Sequence, residues 1–215
     1  MKTKRKRKIK GLLLGIPLAV LLLAAAALLL LPKLPWGFAR QVPEEEKALR
    51  LSLVKAAEEW LHRAEDDGSH RDIIDLYNGH TPLAQGYAVQ YTDDWCSTYA
   101  SAVAIQCGLT EIIPTECGCE RHIGRFMDLD SWVEDDSYFP LPGDYIFYCW
   151  TDNGLGDCTG WSSHVGIVTG TFGPWIRVIE GNYRDQVTYR YILVDSKGIR
   201  GYGVPQYEKI CQPEP

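Results

Sequence analysis

Two residues of this chain could do nucleophilic chemistry together: Cys96 and His164. Cys96 stands in Tyr91-Thr-Asp-Asp-Trp-Cys-Ser-Thr-Tyr-Ala-Ser-Ala-Val-Ala, where acidic and small polar residues lead into a helical run. His164 follows Ser162 and Ser163 and opens the apolar run Val-Gly-Ile-Val. A free thiol is mostly protonated at neutral pH, and the thiolate is the nucleophile. A helix N-terminus steadies that anion with unpaired N–H groups and its dipole, and a neighbouring imidazolium does so more strongly. The same amides, that of Cys96 among them, can hold the oxyanion of a tetrahedral intermediate. His164 would take the thiol proton and later deliver it to the leaving amine. Its other ring nitrogen needs an acceptor. Glu180 and Asn182 close the run Val178-Ile-Glu-Gly-Asn182 and are two apart, so on a strand they share a face. Glu180 is the expected orienting group and Asn182 an auxiliary. Such a set performs acyl transfer through a thioester, most simply hydrolysis of an amide bond.

Each residue also has a plainer reading. A lone cysteine in a helix is usually a small buried hydrophobe, and a lone histidine is usually a surface or satisfied core residue. Ser97 lacks the GxSxG frame of a serine nucleophile. Trp95 is a substrate platform or a core anchor. Cys117, Cys119 and His122 invite a metal reading, but no second pair of ligands follows, so structural thiols or disulfides are expected. Asp152-Asn-Gly-Leu-Gly-Asp157 lacks the spacing and terminal Glu of a calcium loop and reads as a turn. No metal and no cofactor are therefore expected. His62, His70, His80 and His122 have no evident partners in the sequence. The seven cysteines are an odd number. Setting Cys96 aside leaves six, with about 15 ways to pair. Cys149 and Cys158 flank a Gly-rich loop and make the most plausible local pair.

The elements that must position these residues are helices first and strands second. Pro43 followed by Glu44, Glu45 and Glu46 starts a helix, with acids on the positive end of its dipole. Leu49, Leu53, Ala57, Trp60, Leu61 and Ala64 then recur at three- and four-residue steps up to the breaker Gly68. A short helix is expected over 71–77, another from Thr92 to the stop at Gly108, and a third from Cys119 to Asp130. Beyond Pro140 the period changes, and 144–150, 164–171, 175–180 and 186–195 read as strands separated by Gly and Asp turns. This order predicts an α+β fold, N-terminal helices packed on an antiparallel sheet. A helix packed on that sheet can present its N-terminus to the histidine strand.

Ahead of this domain, residues 2–10 carry seven Lys or Arg and no acid, and residues 11–31 carry no charge at all. A helix of that length spans roughly 30 Å, one bilayer core. A cleaved signal peptide is the rival reading. The length of the run and the four leucines after its alanines favour a retained anchor. The domains read as a basic cytoplasmic tail 1–10, a transmembrane anchor 11–32, a proline-punctuated stalk 33–43, a catalytic domain 44–210 and a tail 211–215. Lys/Arg asymmetry places the N-terminus in the cytoplasm and the domain outside, a single-pass protein of the cell membrane. Without the tail, 15 basic residues face 28 acidic ones, and such a surface is a poor partner for nucleic acid.

Residues 44–209 resemble the CHAP family, the cysteine- and histidine-dependent amidohydrolases/peptidases of the papain-like NlpC superfamily. The resemblance rests on Asp94-Trp-Cys96, Pro142-Gly-Asp-Tyr-Ile-Phe, His164-Val-Gly-Ile-Val, Val178-Ile-Glu-Gly-Asn182 and Ile199-Arg-Gly-Tyr-Gly-Val-Pro205, in the family's order. It implies a papain-like fold with Cys96 as nucleophile, His164 as base, and Glu180 with Asn182 as orienting groups. It also implies peptidoglycan as substrate, cut at the N-acetylmuramoyl–L-alanine amide or within the stem or cross-bridge peptide. Ser97-Thr-Tyr-Ala100 departs from the apolar residues that many members carry after the nucleophile, a change expected to reshape the pocket floor. An anchored hydrolase suits local wall remodelling, or wall opening for a secretion or conjugation apparatus. Two rivals remain: a catalytically silent binding or scaffold module, and an acyl transferase using the same thiol.

Overall fold

The computed structural model describes residues 29–151 and 160–211. The chain divides into two compact units, residues 1–35 and residues 36–215. Of the first, the described part holds one 3-10 turn, Leu31–Lys33. Most of the expected anchor, 11–32, and all of the basic tail lie outside the described residues. Among the described residues no helix is long and apolar enough to cross a membrane.

The second unit is α+β. Five α-helices are described: α1 (Glu44–Glu58), α2 (Arg71–Asn78), α3 (Cys96–Cys107), α4 (Cys119–Asp128) and the short α5 (Glu208–Cys211). Six strands form one antiparallel sheet: β1 (Trp132–Val133), β2 (Tyr145–Tyr148), β3 (His164–Phe172), β4 (Trp175–Glu180), β5 (Thr188–Leu193) and β6 (Ile199–Gly203). Their spatial order is β1-β6-β2-β3-β4-β5. The last strand in sequence thus enters the sheet between β1 and β2.

Helix α3 is the centre of the unit. Every residue from Cys96 to Ala104 is buried, as the small and apolar composition of all its faces requires. It packs against α1, α2, β3 and β4. Gly108 ends it in the left-handed conformation (φ 66°), which lets Leu109 N–H reach back to the Ala104 carbonyl at 3.0 Å. Side chains alternate across the sheet. Tyr145, Phe147, Val165, Ile167 and Ile179 face the helices with Leu53, Ile73, Ile74 and Phe126. Ile146, Tyr148, Val168, Val178 and Tyr202 build a smaller cluster on the opposite face.

Two polar devices pin other segments to the sheet. At the Pro142-Gly143-Asp144 turn, buried Asp144 accepts 2.8 Å hydrogen bonds from Arg50 of α1 and from the Leu141 amide. Burial pushes the Asp144 carboxyl up; the Arg50 charge and these bonds counter it. Arg50 also donates to Glu46 and to the Pro142 carbonyl, and its guanidinium lies 4.3 Å from the centre of the Tyr207 ring. The second device is the strap after Pro35. Gly37 exchanges two backbone bonds with Thr171 of β3, at 3.1 and 2.9 Å. This part of the expected stalk therefore adds a bridge to the sheet.

The first helix is shorter than its periodicity suggests. It stops at Glu58, and residues 59–68 form turns in which His62 has φ 69° and Ala64 bridges to Gln186. Trp60 and Leu61 still pack on the core. They keep the helical spacing of apolar residues without remaining helical.

Candidate active site

Trp95 is the residue before α3, and its carbonyl accepts the first helical bond from the Tyr99 amide at 2.8 Å. Cys96 is thus the first helical residue, where backbone N–H groups have no intrahelical acceptor. Trp95 itself is a core anchor rather than a platform. It is fully buried, and its indole N–H donates to Glu65 at 2.9 Å.

His164 is the first residue of β3, and Glu180 is the last of neighbouring β4. Between these strands Gly166 leaves room that a Cβ would take from Val178 and Glu180. His164 Nε2 meets Glu180 Oε2 at 3.0 Å, which leaves Nδ1 for the Cys96 thiol. The sequence-predicted trio is therefore assembled from three elements. Cys96 keeps 5% of its surface and His164 8%, so the reacting pair is nearly dry. Low local dielectric strengthens each charge interaction there.

The electrostatics favour a thiolate beside an imidazolium. Burial opposes charge on His164, but hydrogen bonding to Cys96 and Glu180 and the attraction of both raise its pKa to about 9. The Cys96 pKa is lowered, first by a hydrogen bond from the Cys119 thiol, then, against burial, by His164 and the Ser97 amide. Burial disfavours the Glu180 carboxylate as well, yet His164 and Arg190 hold its pKa below the usual range.

Arg190 and Cys119 are the two members that sequence reasoning missed. Arg190 of β5 donates from Nε to Glu180 Oε1 at 2.7 Å, so both carboxylate oxygens are committed. Its guanidinium lies 3.9 Å from the centre of the Tyr183 ring and 4.9 Å from that of Trp150. The only signal in the sequence was an arginine inside a Tyr-rich strand. Cys119 opens α4, and its sulfur lies 3.4 Å from Cys96 Sγ. It was legible only as one third of a metal-like triplet that the structure scatters. Cys117 lies beside Gln85 and Glu116, while His122 bonds Ser97 and the Pro114 carbonyl. Among the described residues no group of three or more His, Cys, Asp or Glu could hold a metal ion.

Asn182 is placed differently from Glu180. The strand ends at Glu180, and Asn182 lies in the following turn with φ 55°. It donates to Asp94 at 3.2 Å, tying the turn to the segment before the nucleophile. Gly181 permits this course, because a Cβ there would run into Tyr99 of α3. Asn182, His164, Tyr183, Trp150 and Arg190 line an open cleft of about 340 Å³.

The polar residues after the nucleophile serve the core. Burial lowers His122 to a pKa of about 4, so it is a neutral ring with one N–H. The Pro114 carbonyl takes that hydrogen at Nε2 (2.8 Å), and Nδ1 accepts from Ser97 Oγ at 2.9 Å. Tyr99 donates to the Ala57 carbonyl at 2.9 Å. Ser97 and Tyr99 thus bind α3 to its neighbours rather than forming a pocket floor. Residues 152–159, including the calcium-like turn and Cys158, lie outside the described residues.

No family model matches the sequence, and no curated protein matches it. Among solved structures, one described as "The crystal structure of Ly7917" is 19% identical, with a TM-score of 0.35, over 51% of this chain and 53% of that one. The chain thus spans about half the length of that structure, and a likeness of this extent decides neither fold family nor function.

Proposed function

We propose that this protein is a cysteine amidohydrolase or peptidase of the CHAP type, with a papain-like fold, acting on peptidoglycan from an N-terminal membrane anchor. The observation that carries the reading is Cys96 at a helix N-terminus, interacting with a His164 whose ring is held by a buried and doubly bonded Glu180. A scaffold or binding module has no need of a thiol with a lowered pKa beside an imidazole held by a buried carboxylate. Peptidoglycan as the substrate is supported by the order of the five motifs, and the anchor by the charge-free run of residues 11–31 behind a basic tail. Holding an enzyme at the membrane raises its effective concentration at the nearest wall layer.

The arrangement supports the following steps. His164 Nδ1 holds the proton of the Cys96 thiol while Glu180 fixes the ring through Nε2. The thiolate attacks the amide carbon, and the Cys96 amide stabilises the oxyanion. The imidazolium then protonates the leaving amine as the C–N bond breaks, leaving a thioester on Cys96. Water, deprotonated by the neutral His164, cleaves the thioester and frees the thiol. An amine in place of that water would give transfer instead, with the same residues.

Mass spectrometry of purified peptidoglycan incubated with the full chain tests the proposal. Soluble fragments should appear with the native protein and be absent with Cys96→Ala, and their masses name the bond. A new cross-link without released fragments would make the protein a transferase. An intact wall with the native protein, Cys96 being a free and alkylatable thiol, would sink the peptidoglycan reading.

A further inference from the structure

Acyl transfer needs one sulfur, yet two meet here. Cys119 Sγ lies 3.4 Å from Cys96 Sγ, and both thiols are free and buried. Each cysteine is the first residue of its helix, α3 for Cys96 and α4 for Cys119. A disulfide has its sulfurs about 2.05 Å apart. Closing one here therefore requires an approach of about 1.4 Å between two side chains already in contact.

The two sulfurs are also chemically unequal. Cys96 faces His164 and is the thiolate of the pair. Cys119 is held protonated by its hydrogen bond to Cys96, by burial and by the Cys96 charge. An attacking thiolate beside a protonated partner is the pairing of a redox-sensing cysteine with a resolving one, and with Cys96 keeping 5% of its surface the oxidant that fits is a small peroxide.

We propose that Cys96 and Cys119 form a reversible redox pair, in which a peroxide oxidises Cys96 and Cys119 closes a disulfide onto it. The inference rests on the thiol geometry and stands whether or not the site cuts amides. In the first step the Cys96 thiolate attacks a peroxide oxygen and the O–O bond breaks. Hydroxide leaves, and Cys96 becomes a sulfenic acid. In the second, the Cys119 sulfur attacks the Cys96 sulfur and the S–O bond breaks. The hydroxyl departs as water with the Cys119 proton. In sum, two thiols are oxidised by two electrons and the peroxide is reduced to two waters. An external dithiol reverses the change by exchange, ending as a disulfide itself. While the bond lasts Cys96 has no thiolate, so it cannot attack an amide. It is also spared the irreversible sulfinic and sulfonic stages.

The test is peptide mapping of the reduced full chain after brief treatment with hydrogen peroxide and quenching with iodoacetamide. The expected result is a cross-linked peptide joining Cys96 to Cys119, short of two hydrogens, with Cys96 alkylation fully recovered by dithiothreitol. In Cys119→Ala the same treatment should carry Cys96 to sulfinic acid, which dithiothreitol does not recover. The native protein decides alone if the variant fails to fold. Sulfinic acid at Cys96 with Cys119 still alkylatable, or a cross-link from Cys96 to another cysteine, would overturn the proposal. Because no wall substrate is used, failure here leaves the hydrolase reading untouched, and failure of that reading leaves this one.

Discussion

Glu180→Gln is the perturbation that separates an electrostatic triad from a merely packed one. Glu180 is fully buried and accepts on both oxygens, from His164 Nε2 at 3.0 Å and from Arg190 Nε at 2.7 Å. Glutamine has the same shape but only one acceptor atom, so it can serve one of these donors and must turn its own N–H groups toward the other. The imidazolium also loses a buried negative partner. His164 now stands at about 9 against an ordinary value of 6.5, a rise it owes to Cys96 and Glu180 together. If Glu180 supplies about half of it, the substitution lowers His164 by about one unit, or ~1.4 kcal/mol. A raised histidine pKa means that the protonated form is present at low pH and lost as pH rises through about 9 in the native protein. The ion pair exists between the lowered Cys96 pKa and that limit, so the variant narrows its window from the basic side. The rate of Cys96 alkylation by iodoacetamide across pH 4–10 reads this window without any substrate. The limb near pH 9 should move down by about one unit, while the acid limb, set by Cys119, His164 and the Ser97 amide, should move less. Unchanged limbs in a folded variant would refute the role assigned to Glu180.

Three further perturbations follow from the same contacts. Cys119→Ala removes the first cause of the lowered Cys96 pKa, so the acid limb of the same alkylation profile should move to higher pH while the limb near pH 9 changes less. Arg50→Met leaves the Asp144 carboxylate buried without its cation, and urea unfolding should show a loss of about 3–5 kcal/mol. The alkylation profile of the molecules still folded should stay as in the native protein. Gly181→Ala drives a methyl against Tyr99 and should cost about 1–3 kcal/mol by the same unfolding assay. It should also slow turnover by displacing the turn that carries Asn182.

The sequence announced those features that are local. The helix expected from Thr92 to Gly108 is present and Gly108 stops it where expected, but it begins at Cys96. The Val- and Ile-rich run over 164–171 between turn residues pointed to β3 and set His164 at its start. Features made by distant pairing stayed hidden. Ile199-Arg-Gly-Tyr-Gly203 carries two glycines and reads poorly as a strand, yet it sits between β1 and β2 because the sheet supplies its partners. Gly201 is needed there, since a Cβ would strike the Trp132 ring. Asn182 was placed on the face of Glu180 by extending period-two alternation past the point where the chain turns. Arg190 and Cys119 lie 10 residues from Glu180 and 23 from Cys96, on separate elements. No periodicity links residues across a tertiary contact. His122 and Ser97 are a pair of the same kind, 25 apart.

The most direct test of the central claim, that the Cys96 sulfur is the nucleophile, is a titration of activity against alkylation. Aliquots of the full chain treated with increasing iodoacetamide would be assayed for peptidoglycan fragment release, with each modified cysteine mapped. Burial raises the pKa of Cys107, Cys117 and Cys211, so Cys96 should react first. Activity should fall in proportion to the fraction of Cys96 carrying the label and reach zero at one label per chain. Undiminished fragment release from protein fully labelled at Cys96 would contradict it.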